Sequence, residues 1–278
     1  KPYADVWDFI RDADFEATEH AETINEHLSW LNRVDFKDWV PPALVYFKRF
    51  RQQPKLLAEF FQSLERLTYF LLVTKVSINE RIETYAALTK EIEPEPFKGD
   101  LAALTTLTLT DAQKRKFVAA LDGDVYDDLP KARMALVLRL ESLVRAPGVQ
   151  LQDAVSLEHV LPQTPPDGSD WIKWFPDEDE RDGWTHRLAN LVPLDRNKNS
   201  SASNYDFAKK KDAYFRGKGT ASPFVLTQEV RSESEWTPTL LTARQKRLVN
   251  VLSTHWNLEI AADNSLPAAA VTAGGLTS

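Results

Sequence analysis

The sequence predicts a mainly α-helical chain: a helical N-terminal bundle, a small β-β-α core, and a C-terminal helix packed on that core. Three observations lead there. Apolar residues recur at spacings of three and four through the first half, the period of a helix with one buried face. Beyond residue 150 two short runs suited to strands replace that pattern, and a helical stretch follows the second. A last amphipathic segment covers 241–256.

Taken in order, residues 3–146 read as helices. Leu57, Phe60, Phe61, Leu64, Leu67 and Leu71 form one stripe, and Ala135, Leu138, Leu140, Leu143 and Val144 repeat it; such stripes are core. "TDAQKRKFVAALDG" sets Thr110 three residues before Gln113, the spacing of a capping box, and ends at Gly123, a helix stop. Pro41 and Pro42 mark a break, and "PEPFKGD" (94–100) a loop between helix groups. "AVSLEHVLP" has the length of a strand ending at Pro162, and "NLVPLD" is a second strand bent by Pro193. The insertion between them carries Trp171, Trp174, Phe175 and Trp184, read as local packing. "SNYDFAKKKDAYF" then offers Ser203 as N-cap of a helix, with Asp206 three residues on. The expected division is a helical domain over 1–150, the β-β-α core over 151–220, a helical segment over 221–260 and a flexible tail over 261–278.

With 278 residues, 43% hydrophobic and 27% charged, the chain reads as an ordinary soluble protein able to bury a sizeable core. Runs such as "YFLLV" (69–73) are far too short to span a bilayer. The absence of cysteine excludes disulfides, zinc ribbons and thiol nucleophiles, so any metal must take carboxylate, imidazole, amide or backbone ligands. A cytoplasmic location is expected. Lys1 opens the chain without a secretory pattern, and Met134 is the only methionine, so the chain is expected to begin inside a longer protein. The net charge of −7 argues against a surface coated in basic residues, yet the distribution is uneven. "DEDERD" (177–182) is acidic, whereas 186–218 carries Arg187, Arg196, Lys198, Lys209, Lys210, Lys211, Arg216 and Lys218 against three aspartates. A solvated face and a phosphate-binding face both fit that run.

Chemistry concentrates at "SLEHVLPQ" (156–163) and its downstream partner. A hard divalent cation wants oxygen ligands and keeps several waters, so one carboxylate and one amide suffice; Glu158 and Asn199 are the right types. A water-activating base near neutral pH is best supplied by histidine, here His159. Singly, each residue has an ordinary structural reading: a packed histidine, a surface carboxylate, turn asparagines at 190 and 199. A regular strand would also send Glu158 and His159 to opposite faces, unless it twists or ends there, for which Pro162 gives a reason.

"EHVLPQ", "HRLANLVPLDRNKNSSASNYDFAKKKDAYF" and "EWTPTLLTARQKRLVNVLSTHW" together resemble the C-terminal domain of GmrSD-type modification-dependent restriction enzymes, which also closes SspE-type proteins that sense phosphorothioate-modified DNA. The resemblance spans 64–256 in layout, and its specific part is 157–214. It implies an HNH endonuclease of the ββα-metal class that cuts DNA in antiviral defence. By that resemblance Glu158 and Asn199 hold the metal, Mg2+ or Mn2+; His159 is the general base; Asn190 braces the loop and orients the histidine. His186, Arg187, Lys198, Lys209, Lys210, Lys211 and Arg244 are weaker candidates for DNA contact, His186 also for supporting the base. The family places a nucleotide-hydrolysing, modification-sensing domain ahead of this one, so that domain and DNA are the expected partners, with a homo-oligomer as a further expectation. Ala189 stands where the family usually has glycine, and Glu158 where many HNH enzymes have aspartate. An inert DNA-binding module, a helical interaction protein and an RNA-directed nuclease remain open on the same residues.

Overall fold

A computed structural model describes residues 4–146, 155–195, 204–215 and 222–259 of the chain. It is mainly helical, with one two-stranded sheet among the described residues. The first helices are α1 (Ala4–Asp12), α2 (Ala21–Asn32), α3 (Val40–Phe50), α4 (Pro54–Val73) and α5 (Ile78–Ile92). The six residues of the 57–71 stripe are all buried along α4, which packs against α2 and α3. Pro41 and Pro42 prove to be the opening turn of α3, where a missing N–H costs nothing, so they start a helix and do not break one. The loop after α5 is held by Arg49, whose guanidinium donates to the carbonyls of Ile92, Glu93, Pro94, Glu95 and Phe97 at 2.8–3.3 Å. Of these, Ile92 belongs to the last turn of α5, where carbonyls lack partners within the helix, and Pro94, Glu95 and Phe97 lie in the loop beyond it.

α6 (Asp111–Leu121), α7 (Val125–Asp128) and α8 (Arg133–Val144) follow. The capping box forms as expected, Thr110 Oγ1 accepting from Gln113 N at 3.3 Å and Gln113 Oε1 from Thr110 N at 2.8 Å. β1 (Val155–His159) and β2 (Leu191–Asp195) pair antiparallel, with Glu158 opposite Val192 and His159 opposite Leu191. Pro193 sits opposite Leu157 in a sheet whose strands both have a free edge, which is where proline is tolerated. α9 (Asp170–Trp174) and α10 (Glu178–Thr185) fill the insertion. Trp171 and Phe175 are fully buried, and Trp171 and Trp174 both meet Phe207 edge-on, which is the packing role expected of these aromatics.

The helix α11 (Phe207–Phe215) begins later than Ser203 would have it; its first backbone bond runs from Lys210 N to Asp206 O, and Ser203 lies outside the described residues. α12 (Val225–Ser232) falls within the helical segment expected over 221–260, although its start was not read. Its first two N–H groups, on Val225 and Leu226, are capped from a distance by the Glu141 carboxylate at 2.7 and 2.9 Å, a long-range cap that no local pattern announces. α13 (Pro238–His255) opens on Thr237, whose Oγ1 accepts from Leu240 N. One continuous hydrophobic core runs from Val6 to Leu258. The proposed tail lies outside the described residues. No helix among the described residues is long and apolar enough to cross a membrane.

Candidate active site

Glu158 and His159 close β1 and face one cleft of about 380 Å³, lined also by Tyr126, Gln163, Asn204 and Lys210. Strand alternation would separate the two side chains, but His159 is the final strand residue and the chain bends immediately after it, so both point inward. Both are 7% exposed.

Lys210 explains how a carboxylate survives there. Its Nζ donates to Glu158 Oε1 at 2.7 Å and to the His159 carbonyl at 2.6 Å, and Tyr214 Oη donates to the same Oε1 at 3.2 Å. Burial pushes the Glu158 carboxyl above its ordinary range, and the Lys210 charge and hydrogen bonds hold it down. Burial likewise lowers the Lys210 ammonium, against the pull of Glu158. His159 is pushed down to about 3, first by burial and then by its nearness to His186, Lys210 and Arg133, so its ring is uncharged at neutral pH. Its Nε2 lies 3.2 Å from His186 Nδ1, its Nδ1 lies 3.2 Å from Gln163 Nε2, and its ring meets Tyr126 at 4.2 Å between centroids.

Asn190 is fully buried and uses its whole hydrogen-bonding capacity. Oδ1 accepts from Leu161 N at 2.7 Å and Trp236 Nε1 at 3.0 Å, while Nδ2 donates to Leu161 O at 2.9 Å and Thr185 O at 2.8 Å. Its carbonyl also accepts from Val160 N at 3.0 Å. Its side chain therefore grips the bend just after His159. The neighbouring Ala189 is held on both sides by α13, its N–H donating to Gln245 Oε1 at 2.8 Å and its carbonyl accepting from Arg244 Nε at 3.1 Å. Ala189 does not adopt a positive φ, so alanine costs nothing where the resembled family uses glycine.

The candidate DNA-contacting cations divide sharply. Lys210 is interior and committed to Glu158; Arg244 is interior and bonded to Ala189 O, Glu229 and Leu226 O. Each is committed to buried acceptors within the protein. Lys211 donates to Glu233 O at 2.7 Å, Arg187 lies over Trp184, and Lys209 lies over Tyr205 with its side chain exposed. Lys198 and Asn199 fall outside the described residues. Tyr126, Gln163 and Asn204 line the cleft without having been assigned a role; Gln163 lay inside the quoted motif, whereas Tyr126 comes from α7, where nothing local signalled it.

Among the described residues, two places hold donors suited to a metal. The cleft offers the Glu158 carboxylate and the amides of Gln163 and Asn204, hard oxygen donors of the kind that bind Mg2+ through few protein ligands and several waters. The set fits such an ion, although Lys210 already neutralises part of the carboxylate charge. The second is the buried group His27, Glu65 and His255, whose ligand atoms lie within 4.8 Å of one another. There Arg139 already supplies the cation, donating to Glu65 at 3.0 and 3.2 Å with its NH2 2.7 Å from His255 Nε2, and Trp256 Nε1 donates to Glu65 at 3.1 Å. That group is occupied by protein, and the cleft is the better metal candidate.

Comparison with known families bears on the same region. The family model described as GmrSD restriction endonucleases, C-terminal domain, matches residues 111–251, just over half of the chain. No curated protein matches the chain. The match begins with α6, so it takes in α7 and its cleft residue Tyr126 as well as both strands and α11.

Proposed function

Since the chain belongs to the family of GmrSD restriction endonuclease C-terminal domains, we propose that it is a metal-dependent HNH endonuclease that hydrolyses DNA phosphodiesters, nicking one strand per encounter. One observation supports this above the rest: an uncharged, buried histidine and an adjacent carboxylate share one cleft on the bend of a β-hairpin-like pair. His159 takes the proton of the attacking water. A phosphodiester anion entering the cleft favours the charged imidazolium and raises its basicity from the low value of the empty cleft. Glu158, with Asn199, would hold Mg2+ or Mn2+; the ion, when bound, stabilises negative charge on the phosphate and on the departing 3′ oxygen. Lys210 and Tyr214 fix the Glu158 carboxylate, and Asn190 fixes the bend that aims His159. The expected products carry a 5′ phosphate and a 3′ hydroxyl. Sensing of modified DNA, phosphorothioate among the candidate marks, would belong to a nucleotide-hydrolysing part outside 1–278, and a double-strand break would need a second copy or a second encounter.

The test is conversion of supercoiled plasmid to nicked form with Mg2+ or Mn2+, comparing the chain with His159→Ala, both checked for folding by circular dichroism. Metal-dependent nicking that vanishes in a folded variant is the expected result. The competing reading, an inert DNA-binding module, draws on the Glu158 oxygen already engaged by Lys210. It predicts salt-sensitive binding that survives His159→Ala, and no product from either protein.

A further inference from the structure

His159 has two ring nitrogens, and only one can serve the cleft. Gln163, beside Nδ1, lines the cleft; His186, beside Nε2, does not. A base acting on water in the cleft must therefore present a bare Nδ1 and carry its proton on Nε2. The tautomer is set by whatever Nε2 meets.

The contacts beyond Nε2 have a direction. Asp127 Oδ2 lies 3.4 Å from His186 Nε2, an ion-pair distance without a hydrogen bond's alignment. Gln163 Nε2 can only donate, so between uncharged rings His159 Nδ1 accepts and His159 Nε2 carries the proton, His186 Nδ1 accepts it at 3.2 Å, and the His186 proton sits on Nε2 toward the Asp127 carboxylate. His159 then donates from Nε2 and keeps Nδ1 bare, and the Gln163 amide nitrogen at 3.2 Å is the matching donor. The backbone holds this row in place. Val125 N and Tyr126 N both donate to the His186 carbonyl at 3.1 Å, and Asp124 Oδ1 caps Asp127 N at 2.9 Å, so α7 carries Asp127 to His186. Tyr126 stacks on the His186 ring and meets the His159 ring edge-on.

We propose that His186 and Asp127 are positioning residues that lock His159 in the Nε2–H tautomer, with Nδ1 bare toward the cleft. This rests on His159 being the base of the proposed reaction. In that reaction a water O–H bond breaks and an Nδ1–H bond forms, while the Nε2 proton stays on His159; His186 accepts a stronger hydrogen bond from the imidazolium without taking its proton. The oxygen freed from water bonds to phosphorus as the 3′ oxygen leaves.

The experiment is long-range 1H–15N NMR of the histidine-labelled full chain, paired with plasmid nicking under Mg2+, for wild type, His186→Ala, His186→Gln and Asp127→Ala. Wild-type His159 should be the Nε2–H tautomer. His186→Ala should mix the tautomers and lower kcat about ten- to a hundredfold at unchanged KM for DNA, the usual effect of losing a group that orients an imidazole. His186→Gln, whose side-chain oxygen can accept, should restore part of both. An Nδ1–H wild type, or a His186→Ala protein with the wild-type tautomer and kcat, overturns the proposal; a raised, salt-dependent KM at constant kcat overturns it too, by making His186 a phosphate contact. Should His186→Ala fail to fold, Asp127→Ala, which removes the exposed acceptor altogether, carries the test: a wild-type tautomer ratio and kcat there refute it. If the wild-type chain does not nick DNA, the nuclease reading fails, and the spectra alone decide the tautomer.

Discussion

Asn190 carries four side-chain hydrogen bonds in a site without solvent access, so its truncation should be among the most damaging single changes in the chain. Asn190→Ala strands Leu161 N, Leu161 O, Thr185 O and Trp236 Nε1 at once. An orphaned buried polar group costs roughly 1–3 kcal/mol. Four would cost about 4–12 kcal/mol if nothing relaxed. Water entering the space left by the amide would satisfy some of them, which puts the expected loss near the lower end, about 4 kcal/mol. That is a large part of the ~5–15 kcal/mol typical of a folded domain. Urea unfolding followed by tryptophan fluorescence is the assay. With a slope near ~3 kcal/mol per molar, the midpoint should fall by about 1.3 M. Trp236→Phe is the finer probe, because it removes a single donor from Oδ1 while Leu161 N remains, and it should cost about 1 kcal/mol. An Asn190→Ala midpoint within ~0.3 M of wild type, on that same slope, would refute the claim that this amide braces the bend.

Lys210→Met should cost about 3–5 kcal/mol by leaving Glu158 buried beside no cation, and adding Glu158→Gln should recover much of it; thermal unfolding of the three variants completes the cycle, and equal additive losses would contradict the pairing. Glu65 gives a pH signature. Burial opposes its charge, yet hydrogen bonds from His255 and His27 and the Arg139 charge hold the carboxyl well below the usual range. The unfolded glutamate, near ~4.3, binds its proton first. Its contribution is therefore complete above about pH 5 and drains as pH falls below ~4.3 toward the folded value. Urea unfolding between pH 7 and 3 should show a steeper acid loss for wild type than for Glu65→Gln, and parallel curves would exclude the effect.

The parts of this fold that were legible in the sequence are those where neighbouring residues decide the outcome. The stripe along α4, the Thr110 cap and the two strands all rest on local spacing. The start of α12 was not legible because its cap is Glu141, more than eighty residues earlier. The same limit shaped the reading of the site. Glu158, His159 and Asn190 could be picked out within two short motifs, and they do converge on one bend. The spacing of Lys209, Lys210 and Lys211 guaranteed that they could not share a face, yet it could not say that the middle one turns inward to meet a carboxylate fifty-two positions away. Tyr126 and Asp127 reach the cleft region only because α7 folds against the His186 carbonyl, a contact between segments that carry no common pattern.

The helix α13 is clasped at two distant points. Near its start Arg244 and Gln245 hold both sides of the Ala189 peptide, next to Asn190; at its end His255 and Trp256 meet Glu65 in α4. The stretch from Arg244 to His255 makes a rod of roughly 16 Å between these grips, at about 1.5 Å per residue. One rigid element thereby joins Glu65 in the first helices to the peptide beside Asn190, so the bend after His159 and the N-terminal bundle share a single support.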